Sequence, residues 1–429
     1  MSWLRHHTMA ATSMTLEISG GPGGNIDAPW NGTVAKRRGD TVDLSGQRGS
    51  LPIILAPIAG DEPRLATAPE AYFGEFMDLI DDPAGSTVAK HAQSVGQKVV
   101  NLALQGGGSH GAFTWGVLDR LLEEERLTFE GVGGTSAGAV NAVVLADGLA
   151  AGGRKGAKDA LEAYWKKVSE LASRSVFRPS PIDRANPDFG LEHSPGYLLM
   201  ESMTYFASPY QLNPFNYNPL KEMLAETINF ERVRTQQTVK LFVCATNVQT
   251  AKVKIFTGKE IDVAHVLAST CLPLMMQAVE IDGEYYWDGS YSANPAIFPL
   301  FFDCQAPDIL MVHITPAERP GVPTTSPAIM NRMQEISFNT SLIREMRTIA
   351  YLTKLIDAGR VDGGKRLFVH VIEAEDLTGN LAWSSRLNGD WGLLTHLRDM
   401  GRRRADKWLE SNFDRVGVES TVNLDEKYL

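Results

Sequence analysis

Gly134-Thr135-Ser136-Ala137-Gly138 has the G-x-S-x-G spacing of a nucleophile elbow, a sharp strand-to-helix turn that exposes a serine oxygen and admits only small flanking residues. One helix and one strand earlier, LALQGGGSHGAFTWGVL (residues 102–118) carries a second glycine cluster. Gly106, Gly108 and Gly111 fit the G-x-G-x-x-G of a dinucleotide clamp, whose glycines let the backbone approach a pyrophosphate. The bare N–H groups of Gly106, Gly107 and Gly108 equally suit the oxyanion of an acyl-transfer reaction.

The segment between the two loops has the length of a single βαβ unit, so both emerge at the carboxyl edge of adjacent parallel strands and face one another. Ser136 then sits at a helix N-terminus, where partial positive charge favours an alkoxide, with Gly107 and Gly108 able to aim N–H groups at a carbonyl oxygen. A dinucleotide fold should end its second strand in an acid for the ribose hydroxyls, but this strand ends in GGTSAG, while Glu123, Glu124 and Glu125 read as the solvated face of the intervening helix. No Gly-Lys-Ser/Thr follows the glycines, so a P-loop is a poorer fit still. No H-E-x-x-H or paired-cysteine pattern occurs, and the reading calls for neither cofactor nor metal.

The elements that must hold these loops are visible as alternating runs. VVNLALQ, FEGVGG, VKLFVCAT, DILMVHI and LFVHVIE read as strands, with helices at AFTWGVLDRLLEEER and SAGAVNAVVLADGL, which implies a mostly parallel sheet covered on both faces. The amphipathic stretch NRMQEISFNTSLIREMRTIAYLTKLI reads as a helix on the outside of the domain. Residues 1–70 are rich in Gly, Pro, Asp and Arg without periodicity and read as a disordered tail, followed by a helical lead-in over 71–97, a catalytic domain over 98–375 and a C-terminal helical extension over 376–429. Residues 178–219 interrupt the alternation with Pro and with Tyr205, Phe206, Tyr210, Phe215 and Tyr217; a structureless insert of that length is read as a lid that engages lipid, against the alternative of a satellite core.

Composition bounds the partners. With 43% hydrophobic residues the chain of 429 can bury a full α/β core, and a net charge of −10 excludes a basic nucleic-acid face apart from Arg402, Arg403 and Arg404, which read as a solvated helix face. Cys244, Cys271 and Cys304 are too few and too irregular for a disulfide framework, which fits a reducing, cytoplasmic setting. No window reaches the roughly 18 apolar residues of a membrane span, so any membrane contact would be peripheral. Nothing in the sequence sets an oligomeric state.

Several sites in the right order resemble the patatin-like phospholipase family over roughly residues 98–315. Gly106, Gly107, Gly108 and Gly111 match its G-G-G-x-R/K-G loop, and Gly134 to Gly138 match its G-x-S-x-G elbow. Ala268, Ser269 and Pro273 match its A-S-x-x-x-P segment, and Asp288-Gly289, then Asn294-Pro295, match its D-G-G/A motif and the turn after it. The sequence departs from the pattern at His110, where a basic residue is expected, and at Ser290. The resemblance implies a three-layer α/β/α fold and a serine lipid acyl hydrolase, with Ser136 as nucleophile and Asp288 as its direct general base. A free aspartate is a weak base, so the site must bury Asp288 to raise its basicity. His110 would carry charge only below about pH 6.5 unless its surroundings shift it.

Two other readings remain open at this stage. An ordinary Ser-Asp-His triad would need His313, His370 or His396, of which the first two lie in strand-like runs and the third in a helix-like one. A non-catalytic scaffold would use the Gly106–Gly111 loop to bind lipid or a dinucleotide. The acyl substrate, whether phospholipid, lysophospholipid, glyceride, thioester or polyester, is not specified, because apolar pockets discriminate poorly by length.

Overall fold

The computed structural model describes residues 96–361, 364–374 and 380–428. The tail expected over 1–70 and, except for Gly96 and Gln97, the helical lead-in expected over 71–97 lie outside the described residues.

The chain enters the fold through β1 (Lys98–Leu104), α1 (Gly111–Leu121), β2 (Leu127–Thr135) and α2 (Ala137–Ser173), the last interrupted by non-helical backbone at Gly152 and Gly153. Short helices follow at α3 (Pro181–Ala185), α4 (Pro195–Thr204), α5 (Pro209–Leu212) and α6 (Pro219–Thr227). Next come β3 (Lys240–Asn247), β4 (Val253–Thr257), α7 (Val263–Ser269), β5 (Val279–Ile281) and β6 (Glu284–Asp288). After these come α8 (Phe298–Asp303), β7 (Asp308–His313), α9 (Ser326–Asp357), β8 (Phe368–Glu373), α10 (Trp391–Asn412) and a last short helix over Leu424–Tyr428.

The sheet runs β5-β6-β3-β2-β1-β7-β8, with β4 on the other edge of β3. The five strands from β3 to β8 along that path are parallel, and they are the five that the apolar runs predict. The sequence missed β4, β5 and β6, which are antiparallel and largely half-exposed, so they lack the continuous apolar run of a strand covered on both faces. On one face the core joins Phe113 of α1, Val143 of α2 and Leu397 of α10 to Leu102 and Val132 of the sheet. On the other, Leu300 of α8 and Leu342 and Met346 of α9 pack against Ala103, Ile309 and Met311. Alternate residues of the same strands feed the two faces, which makes the three-layer α/β/α architecture.

The register of β3 places the site. Thr135, the last residue of β2, pairs with Cys244, and Asp288, the last residue of β6, pairs with Ala245. Because β4 occupies the opposite edge of β3, β2 and β6 share one edge and meet end to end from opposite directions. Ser136 and Asp288 stand at that junction.

Two expectations require correction. The insert over 178–219 is not structureless: α3 to α6 each begin with Ser or Asn followed by Pro, and an N-cap side chain that takes the free N–H groups followed by a proline preset for the first turn is a strong helix start. The satellite core is also absent, since Phe206 is 89% and Phe215 94% exposed. The C-terminal residues, expected as an extension, are built into the same body. Helix α10 crosses α1 so closely that a Cβ on Gly116 would strike the Arg398 carbonyl, and one on Gly401 the Phe113 carbonyl.

That crossing sets the first prediction. Gly116→Val forces the two helices apart and should lower the stability of the domain by about 1–3 kcal/mol, read as a reduced denaturation midpoint at unchanged m-value.

Candidate active site

Ser136 has the backbone of a strained turn, φ 55° and ψ −124°, and caps the N-terminus of α2. The small flanks are needed on contact grounds: a Cβ on Gly134 would meet the Gly138 carbonyl, and one on Gly138 the Leu104 carbonyl at the end of β1. The turn is tied on both sides. The Ser136 N–H donates to Ser269 Oγ at 2.9 Å, so the A-S segment at the end of α7 holds the elbow, and the Thr135 hydroxyl donates to the Ala293 carbonyl at 2.9 Å.

Asp288 is buried, and its backbone is clamped by donation to the Cys271 carbonyl at 2.8 Å and by acceptance from Thr246 Oγ1 at 2.8 Å. Its Oδ1 accepts the Ser290 N–H at 2.8 Å. Burial pushes its pKa up to about 6, against the lowering effect of the nearby Ser136 and Ser290 groups. Gly289 is required beside it, since a Cβ there would strike the Cys244 carbonyl.

The glycine loop lies against the elbow, with a Cβ on Gly106 falling 2.8 Å from Ser136 Cβ. The Gly106 N–H, expected as an oxyanion donor, is already donated to Asn294 Oδ1 at 2.8 Å. Gly106 therefore anchors the loop, through the turn that follows Asp288. Gly107 and Gly108 donate to no protein group among the described residues, and both line the cavity in front of Ser136. Gly108 is left-handed, with φ +59°, and packs directly under the Arg386 carbonyl, which leaves no room for a side chain.

His110 is buried beneath the loop, with Nε2 2.7 Å from Ser385 Oγ. The Ser385 hydroxyl donates its one proton to the Ala382 carbonyl at 2.6 Å, so Nε2 carries the imidazole proton and Nδ1 is left without a partner. Burial, and then the nearby Arg386, hold the pKa of His110 well below the usual histidine value, so the ring is neutral at physiological pH.

A cavity of about 350 Å³ joins these parts. Ser136, Asp288, Gly107 and Gly108 form its reactive wall, and Tyr164, Trp165, Met200, Leu272, Phe338 and Trp383 are among its apolar walls. No described histidine lines it. His370 Nε2 bonds Asp308 Oδ1 at 2.9 Å, His313 Nε2 bonds Asn339 Oδ1 at 3.1 Å, and the His396 ring lies 5.6 Å from that of Phe189. The sequence reading missed the contributions of Trp383 and Arg386 and of Tyr197 and Met200 on α4. WSSRLNG carries no motif, and helix α4 became legible only as a Ser-Pro start. The three cysteines are free and buried, and no metal-ligating cluster occurs among the described residues.

The class is that of hydrolases cleaving lipid esters, and the family match carries it. The family comes from the sequence itself: residues 102–301 match the family described as Patatin-like phospholipase, and the domain they form belongs to it. No curated protein sequence matches the chain. Solved structures similar to it include VipD from Legionella pneumophila, at 14% identity and TM-score 0.35 over 77% of this chain and 72% of that one. Another is the heterodimeric ExoU-SpcU complex from the type III secretion system of Pseudomonas aeruginosa, at 14% identity and TM-score 0.30 over 75% of this chain and 52% of the matched one. No helix of the described residues is long and apolar enough to cross a membrane.

The buried, neutral His110 sets a pH dependence of stability. Its folded pKa lies below its unfolded one, so its contribution is complete above about pH 6.5 and is lost as the pH falls toward the lower folded value. His110→Gln keeps a donor for Ser385 and cannot titrate. The melting temperature of the wild-type protein should therefore fall more between pH 7 and pH 5 than that of the variant; parallel curves would show that His110 does not titrate in that range.

Proposed function

We propose that the protein is a serine lipid acyl hydrolase working through a Ser136–Asp288 dyad. The observation that carries the reading is the buried Asp288 carboxylate, lining one cavity with Ser136 and with its pKa raised to about 6 by burial, where no described histidine lines that cavity. A general base is most effective when its pKa lies near the working pH, and burial moves Asp288 toward that point.

In this mechanism Ser136 Oγ attacks the acyl carbonyl carbon while its proton passes to Asp288. The carbonyl π electrons move onto oxygen, where the N–H groups of Gly107 and Gly108 and the N-terminus of α2 stabilise the charge. Collapse breaks the acyl–oxygen bond, the leaving alcohol takes the proton from Asp288, and the acyl group remains on Ser136. Water then gives its proton to Asp288 and attacks the acyl carbon, and Ser136 leaves with that proton. The apolar walls of the cavity suit the hydrocarbon part of the substrate.

Lipid contact is part of the same reading. Helix α4 turns Tyr197, Met200 and Thr204 toward the cavity, while Leu199 and Met203 on α4 and, beyond it, Phe206 and Phe215 are exposed. Exposed aromatic side chains suit the surface of a lipid aggregate, and the acidic chain leaves apolar contact as the means of attachment.

Two predictions test these statements. Ser136→Ala and Asp288→Asn should each reduce ester hydrolysis by at least about 10²-fold, whereas His313→Ala, His370→Ala and His396→Ala remain active as folded proteins. Wild-type kcat/KM should rise with pH through an apparent pKa of about 6, because the base works deprotonated. Loss of activity in one folded histidine variant comparable to that of Ser136→Ala would replace the dyad with a triad. For the lipid surface, Phe206→Ser combined with Phe215→Ser should slow hydrolysis of vesicle substrate while leaving a short-chain soluble ester and the melting temperature unchanged; equal loss on both substrates would remove the surface role.

A further inference from the structure

Arg386 reaches the glycine loop from the far end of the chain. Its residue exposure is 8%, its carbonyl packs on Gly108, and its Nη1 lies 3.5 Å from where a Cβ on Gly107 would stand. The guanidinium stacks on Trp383, with its carbon 4.2 Å from the ring centroid; among the described residues its hydrogen bonds are two long ones to the neutral Thr315 hydroxyl, at 3.5 and 3.4 Å, and no carboxylate is paired with it. Burying a cation without a carboxylate partner is unfavourable, so a position that keeps one is a candidate for a use of the charge. The acid whose field reaches it, Glu335, is itself paired with Arg319 at 2.6 Å and Arg332 at 3.2 Å.

The segment that carries Arg386 is fixed on both sides. His110 donates to Ser385 from the loop side, and Asn388 donates to the Phe189 carbonyl at 2.9 Å. Ser384 accepts the Leu191 N–H at 2.8 Å and donates to Glu192 at 2.7 Å. The loop's own His110 is neutral, so it supplies no charge to the site.

We propose that Arg386 is the fixed positive charge of the oxyanion loop, a positioning residue that lies behind Gly107 and strengthens the pull of the Gly107 and Gly108 N–H groups on the developing oxyanion. The proposal rests on the acyl-transfer reading of Ser136 and Asp288. A full charge directly behind the donors of an oxyanion, screened as in a partly buried site, is worth about 100-fold in rate. Burial lowers the pKa of Arg386 only to about 10, so the group is charged throughout the working range.

The test uses the full chain, with Arg386→Gln, Arg386→Lys and the double variant Arg386→Gln with His110→Lys, a short-chain soluble ester, and a trifluoromethyl ketone that adds to serine as an anionic hemiketal. Arg386→Gln should lower kcat by about 100-fold with KM little changed, and should weaken the ketone by a similar factor. Arg386→Lys should keep kcat within about tenfold of wild type, and the double variant should recover part of the loss. Wild-type kcat in a folded Arg386→Gln overturns the proposal. A rise in KM confined to anionic phospholipids, with kcat and ketone affinity unchanged, also overturns it, in favour of headgroup binding. If Arg386→Gln fails to melt cooperatively, Arg386→Lys decides: retained kcat and ketone affinity support the charge, and a loss as large as that of Ser136→Ala overturns it. Ser136→Ala and Asp288→Asn run alongside. Their retained activity would mean that the acyl-transfer reading has failed, whereas their inactivity beside an undiminished Arg386→Gln would mean that only the role of Arg386 has failed.

Discussion

Everything at the site depends on two strands meeting end to end on one edge of β3. β2 arrives from one direction and stops opposite Cys244, and β6 arrives from the other and stops opposite Ala245. Each strand ends in a residue with chemistry at or next to it, and the hydrogen-bond ladder of β3 holds the two ends in fixed register. A ladder of this kind is far stiffer than a loop, so the serine and the aspartate are positioned by the sheet rather than by their own side-chain freedom. The surrounding devices serve that junction: Ser269 holds the elbow, Thr246 and Cys271 hold the backbone of Asp288, and Asn294 holds Gly106.

Close approach at the junction also explains its electrostatics. The glycines let backbone pack on backbone, which excludes water from Asp288 and raises its pKa, while the N–H groups of Gly107 and Gly108 have no protein partner among the described residues and stand beside the cavity. The same exclusion acts in the opposite sense on His110, where burial favours the neutral ring. One desolvated region thus makes an acid more basic and a base less so, and positive charge near the loop is left to a guanidinium, the side chain that stays charged when buried.

The pieces that enclose the site come from distant parts of the chain. Helix α4 supplies one wall of the cavity, and the segment around Trp383 and Arg386 supplies another and locks against the glycine loop. Hydrogen bonds from Ser384 and Asn388 to residues 189–192 join those two regions to each other. The cavity is therefore closed by tertiary contacts among segments that carry no shared sequence pattern.

How much of this was legible in the sequence follows from the range of the interactions concerned. The five parallel strands were readable because strands covered on both faces need unbroken apolar runs, and the elbow because a strained turn needs glycine at fixed offsets. The short antiparallel strands and the helices of the insert were harder: the former are half-exposed, and the latter are marked only by Ser-Pro and Asn-Pro starts. By itself the sequence determined the five parallel strands, the nucleophile turn and the glycine loop, since these rest on local backbone requirements that residue types express directly. Only the tertiary structure decided that Gly106 is tied to Asn294, that His110 is neutral, that Asp288 is buried to a pKa of about 6, and that Arg386 stands behind the loop. Desolvation and charge at a point depend on which distant side chains fill the space around it, and that is settled only when the layers pack.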